Sequence, residues 1–187
     1  MELVKLNMLH LHLSDNEGFR VESIQYPRLT QIASHGQYYS QNEIRDLISY
    51  ALDRGITIVP EFDVPGHALA MLTASPALAS STVDTKNPLA GFQEVLNPAS
   101  DATYAFIKDL LEEMAGLFPG RYFHVGGDEV PDNAWNGNGQ IQRFMKEKRL
   151  ASKVELRRIF SLFTGGPEEA GQDHDWMGRN RRSLDPR

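Results

Sequence analysis

Residues 121–130 read RYFHVGGDEV, and the reading of this stretch decides the fold. Tyr122-Phe123-His124-Val125 is an apolar, aromatic run of strand composition. It breaks at Gly126-Gly127, where glycine lets the backbone turn and lets a ligand come close. Two adjacent carboxylates follow, Asp128 and Glu129. Neighbouring acids repel each other, so one tends to hold its proton to higher pH, which makes a general acid usable near neutrality. Taken alone, an acid pair after two glycines is more often a solvated turn than a catalytic site. The rest of the chain has to decide between them.

Upstream, residues 4–13 alternate. Leu6, Met8, His10 and His12 share one face, and Leu9, Leu11 and Leu13 the other, the period of a strand. Residues 14–18 form a polar turn, and 19–30 read as an irregular excursion broken at Tyr26-Pro27. Ser40 and Glu43 make a capping box. Ile44, Leu47, Ile48, Ala51 and Leu52 then recur at helical spacing, and Gly55 stands where a C-terminal cap belongs. The spacing predicts a helix over 41–54.

Ile56-Thr57-Ile58-Val59 is a β-branched run and reads as a buried strand. Pro60 argues that its ladder stops near there. A break at Pro65-Gly66-His67 and a long loop over 80–98 follow. Ser100 or Asp101 opens a second helix with Phe106, Leu110, Leu111, Met114 and Leu117 as its apolar stripe, ended by Pro119-Gly120. A short amphipathic helix is expected over 140–150, with Ile141, Phe144 and Met145 inward.

Strand, helix, strand, helix, strand calls for parallel strands joined by right-handed crossovers. Asp15, then Asp63 with His67, then Asp128 with Glu129 each follow a strand. All three groups therefore fall on the C-terminal rim, where α/β folds place their active sites. A merely solvated acid has no reason to choose that rim three times. Three strands close no barrel and complete no open sheet, so the expectation is a partial α/β fold whose first and third strands carry unpaired edges.

The 187 residues carry a net charge of −6, which does not favour non-specific binding to nucleic acid or to an anionic membrane. There is no cysteine, which excludes disulfides and thiolate metal sites. No apolar run is long enough to span a bilayer. The N-terminus shows no basic region or cleavage signal and enters a strand at once, as if the chain began inside a domain.

HVGGDE (124–129), with HLHLSD (10–15), GFR (18–20) and PEFDVPGH (60–67), resembles the catalytic barrel of family 20 glycoside hydrolases, the β-N-acetylhexosaminidases. The motifs come in the family's order over about residues 4–150, and 1–156 is identified as a partial (β/α)8 barrel, its second to fourth βα units. The resemblance implies substrate-assisted, retaining hydrolysis of terminal β-linked N-acetylhexosamines, without an enzyme nucleophile. Glu129 then matches the general acid/base. Asp128 matches the carboxylate that orients the 2-acetamido group, and Asp15 with His67 the pair that tunes the acid. His124, Asp63 and Trp135 are candidate sugar contacts, although a core or rim aromatic is the more ordinary reading of Trp135. Glu61 reads equally as a buried structural carboxylate or a ligand contact, and Arg20 as a residue that orders the loop after the first strand.

The resemblance implies no cofactor and no metal, an N-acetylhexosamine-terminated glycan as partner, and an extracytoplasmic setting. His10, His12 and His124 invite a metal-dependent hydrolase as an alternative, but no tight ligand spacing supports it. A non-catalytic sugar-binding product of the same ancestry is the other alternative. The first barrel strand and strands five to eight are missing from the pattern, so the chain alone is expected to be inactive. Residues 157–187 carry no convincing period and read as an irregular tail. One permitted back-translation from Ile159, read one nucleotide later, yields a segment similar to the family's fourth helix and fifth strand. The expectation is a frameshifted or partial gene.

Overall fold

A computed structural model describes residues 1–80, 95–127, 129–130 and 134–163, the last five through their backbone alone. The elements are β1 (Met8–His12), a small hairpin of β2 (Ser14–Asp15) and β3 (Gly18–Phe19), α1 (Arg28–Gln31), α2 (Gln41–Leu52), β4 (Thr57–Glu61), α3 (Leu69–Ala74), α4 (Asp101–Leu117), α5 (Gly139–Glu147) and α6 (Lys153–Phe163). β1 and β4 pair in parallel, from Met8 opposite Thr57 to His12 opposite Glu61. Among the described residues β1 pairs on one side only.

β4 runs through Pro60 and ends one residue later at Glu61, near where its ladder was expected to stop. The register explains this. Thr57 N–H donates to Asn7 and Leu13 N–H to the Glu61 carbonyl, so alternate residues of β4 bond toward β1, and Pro60 faces the other way. There its carbonyl accepts the His124 N–H at 2.9 Å. Proline has no N–H with which to bond one step earlier, so pairing on that side begins only at this carbonyl.

The third predicted strand, the run 122–125, is correspondingly short. It meets β4 at a single parallel bridge, Glu61 to His124. Phe62 N–H to the His124 carbonyl and Val64 N–H to the Val125 carbonyl, both 3.1 Å, complete the contact.

The alternation of β1 sorts the sheet into two faces. Leu9 and Leu11 lie on the face of Ile58, Phe62, Phe123 and Val125, which α2 and α4 cover with Ile44, Ile48, Phe106, Ile107, Leu110 and Met114. His10 and His12 point to the opposite face with Glu61 and His124. α2 opens on the predicted capping box, with Glu43 N–H to Ser40 Oγ at 3.2 Å and Ser40 N–H to the Glu43 carboxylate at 2.7 Å. It ends at Leu52, two residues before the expected 54.

The excursion after β3 is held from two sides. Arg20 donates to the carbonyls of Glu17, Ser34 and Gln37, and so orders this loop. Glu113 of α4 accepts from Ser23 Oγ and the Ile24 N–H, both at 2.6 Å. A bond network of this kind fixes a loop that has no regular ladder of its own.

α5 and α6 pack a smaller core around Trp135, with Val95, Val130, Ala134, Ile141 and Leu156. Phe144 and Met145 lean on it as predicted. The backbone continues as α6 past 157 to Phe163, so the expected start of the irregular tail falls inside a helix. The remainder of that tail, 164–187, and 81–94 of the predicted long loop lie outside the described residues. No described helix is long and apolar enough to cross a membrane.

Phe62 is fully buried, stacked on Phe19 and Phe123 at 5.3 and 5.5 Å between ring centroids. Phe62→Ala is expected to lower stability by about 3–5 kcal/mol, read as a shift in the urea midpoint with an unchanged slope.

Candidate active site

The C-terminal ends of β4 and the 122–125 row are joined by one carboxylate. Asp63 is buried, its N–H donates to Ser14 Oγ at 3.0 Å, and its Oδ1 accepts the Gly127 N–H at 2.8 Å. Gly126 has φ +64°, and a Cβ there would lie 1.6 Å from Asp63 Oδ1. Only glycine fits that turn. The turn delivers Glu129, itself at φ 48°, to the rim.

At the rim three sequence-predicted residues meet. His67 Nδ1 lies 3.0 Å from Asp15 Oδ1, and His67 Nε2 lies 3.4 Å from Glu129 Oε2. The loop carrying His67 is tied to the hairpin because Asn16 Oδ1 accepts the Leu69 N–H at 3.1 Å. Partial burial pushes the Asp15 carboxyl up, but the Asn16 N–H at 2.6 Å and the imidazoles of His67 and His12 outweigh it and hold the carboxyl below its ordinary value. An anchored carboxylate, a histidine and an exposed glutamate in series can orient and pass a proton.

Below the rim lies a second group. Glu61 Oε2 is 2.7 Å from His10 Nε2 and 3.1 Å from His12 Nδ1, and Glu61 Oε1 is 2.8 Å from His124 Nδ1. Burial pushes the Glu61 carboxyl up, and the three imidazoles pull it below the ordinary range. Burial also works against the charged form of His12, yet the carboxylates of Glu61 and Asp15 raise its pKa. His12 joins the two groups, since its Nε2 reaches Asp15 Oδ2 at 3.1 Å.

Asp15, His67 and Glu129 thus come together, while Asp128 lies outside the described residues. Two of the candidate sugar contacts are buried in this structure. Asp63 is only 1% exposed and holds the glycine turn, so it positions the rim and presents no surface to a sugar. Trp135 is fully buried, with its indole N–H on the Leu96 carbonyl at 3.3 Å, and offers no ring face for stacking. His124 faces Glu61 and His10, not the rim group. Sequence reading left Glu61 undecided; its position two residues before Asp63 was the available signal, and the three histidines it gathers come from two other rows.

The chain matches the family described as glycosyl hydrolase family 20, catalytic domain, over residues 1–166. It is 37% identical over 171 residues to a β-hexosaminidase of Porphyromonas gingivalis, covering 86% of this chain and 22% of that protein. It is also 37% identical over 164 residues to the human β-hexosaminidase subunit beta, covering 87% of this chain and 29% of that one. A Flavobacterium johnsoniae chitobiase structure superposes with a TM-score of 0.83 at 42% identity, covering 88% of this chain and 25% of that chain. An exo β-N-acetylglucosaminidase from Vibrio harveyi in complex with N-acetylglucosamine superposes at 0.79 with 38% identity, covering 88% and 29%. This chain therefore spans between a fifth and a third of the length of these relatives.

The depressed Asp15 pKa fixes a pH window. The stability it contributes is fully present above the ordinary value of 3.8 and is lost as pH falls through the lower folded value. Urea unfolding should show Asp15→Asn less stable than the parent at about pH 6, with the gap closing at about pH 2.

Proposed function

This chain belongs to glycosyl hydrolase family 20, and on that premise we propose that it carries the acid/base machinery of a β-N-acetylhexosaminidase. The observation that carries the reading is the Asp15–His67–Glu129 series at the strand ends, with contacts of 3.0 and 3.4 Å. On this reading Glu129 protonates the glycosidic oxygen as the bond to the anomeric carbon breaks. The substrate's own acetamido oxygen attacks that carbon and forms an oxazolinium ion. Glu129, now ionised, takes a proton from the water that opens the ring. Asp128 is assigned to the acetamido N–H, and Asp15 with His67 to the orientation of Glu129.

The parallel order of β1, β4 and the 122–125 row, with helices on one face, supports a finer reading of the fold as the second to fourth βα units of an eight-stranded barrel. The assigned substrate class is a glycan ending in a β-linked N-acetylhexosamine, in keeping with the chitobiase and the N-acetylglucosaminidase the chain resembles.

The Glu129 side chain is 75% exposed, so within this chain the proposed acid stands in water. Chemistry that depends on holding a sugar against it loses many orders of magnitude without further walls. Little or no turnover is therefore the reading for the 187 residues by themselves.

The test is release of nitrophenol from a nitrophenyl N-acetyl-β-glucosaminide. The full-length gene product should turn it over, and Glu129→Gln should lower kcat/KM by about a hundred- to ten-thousandfold. Turnover unchanged by Glu129→Gln would overturn the assignment, and turnover by the isolated 187 residues would overturn the reading that they are inactive by themselves.

A further inference from the structure

We propose that His10, Glu61 and His124 form a binding site for a divalent transition metal of the zinc class. One ligand comes from each of three rows: β1, β4 and the 122–125 segment. One ligand atom from each residue falls within 4.8 Å of the other two. Two imidazoles and one carboxylate suit zinc and its neighbours, and do not suit calcium or magnesium, which prefer oxygen.

The hydrogen-bond pattern points the same way. His124 Nδ1 lies 3.1 Å from the Gly126 nitrogen, which donates to it. A ring nitrogen that accepts an N–H has no proton of its own to give. Yet the same Nδ1 stands 2.8 Å from Glu61 Oε1, itself an acceptor when ionised. Two lone-pair atoms at that distance call for a cation between them, either a proton or a metal ion. His10 Nε2 approaches the other oxygen of the same carboxylate at 2.7 Å, so a third donor atom is already in place.

Ligand atoms about 2.1 Å from a tetrahedral zinc lie about 3.4 Å apart, so the donors need to open by roughly half an ångström. The His10 side chain is 52% exposed and free to make that adjustment, which also gives the ion a way in. The site is linked to the Asp15–His67–Glu129 series through His12, but shares no ligand with it and needs no part in its chemistry. An ion there ties the three rows together on the face that the helices do not cover.

The experiment titrates zinc chloride into the metal-free 187-residue chain by calorimetry, and cobalt chloride followed by visible absorption. One ion per chain should bind with micromolar or tighter affinity, with cobalt bands of a nitrogen–oxygen site and a rise in Tm. His10→Asn and His124→Asn should each weaken binding about ten- to a hundredfold. His35→Asn, at an exposed position outside the cluster, should leave it unchanged. If a variant fails to fold, the cobalt spectrum of the unsubstituted chain decides, because it needs no mutation. Absence of saturable micromolar binding, or equal affinity in all three variants, overturns the site and leaves a proton as the cation.

Discussion

The Asp63 carboxylate is buried, accepts the Gly127 N–H at 2.8 Å, and stands where the Cβ of any larger residue at 126 would be. A buried carboxylate is tolerated only when its oxygens are bonded, and an amide that loses such a partner costs about 1–3 kcal/mol. This one contact therefore constrains both sides. It fixes the end of β4 against the end of the 122–125 row, and it fixes the direction in which the chain leaves toward Glu129. Ser14, whose hydroxyl receives the Asp63 N–H, extends the same lock to the hairpin that carries Asp15. The rim residues come from three segments far apart in sequence, and this junction is where all three are joined.

The two faces of the small sheet follow from period 2. One face is dry and aromatic, with Phe62 between Phe19 and Phe123. The other gathers His10, His12, His124 and Glu61. The second face is not stabilised by burial in the same way. Removing Glu61 would take from three imidazoles the carboxylate they share, whereas replacing the whole group by apolar residues of similar volume is often neutral. The charged face is thus better explained by what it can bind or hold than by stability.

Most of the architecture was legible where the pattern is local. The capping box at Ser40 and Glu43, the stripe from Phe106 to Leu117 and the alternation of β1 all encode their elements within one or two turns. α3 was not legible, because Leu69, Ala70, Met71, Leu72 and Ala74 are all buried and an element buried all round has no period. Pro60 marked the end of its strand to within one residue, but not how the ladder passes it, because a proline in a strand matters only on the side toward which its missing N–H would point, and register is not written in the strand itself. At Trp135 the sequence left a sugar platform open beside the more ordinary core reading, and packing supports the core reading by covering the ring. The Glu61 group was hidden because its members sit 2, 49 or more residues apart and meet only through pairing of rows.

His12 connects the two halves of this picture. Its Nδ1 reaches Glu61 and its Nε2 reaches Asp15, each at 3.1 Å. Only the imidazolium can donate from both nitrogens, and the two carboxylates raise the His12 pKa in that direction. With His12 charged, Asp15 receives donors from His12, Asn16 and His67, which keeps it ionised and accepting. His67 Nδ1 then donates to Asp15, and the state of its Nε2 is left to Glu129. A neutral His67 can accept from a protonated Glu129, and a charged His67 can donate to an ionised one. A residue proposed to act first as acid and then as base needs a neighbour able to match both of its states, and a histidine held at its far nitrogen by a carboxylate whose pKa is lowered is such a neighbour.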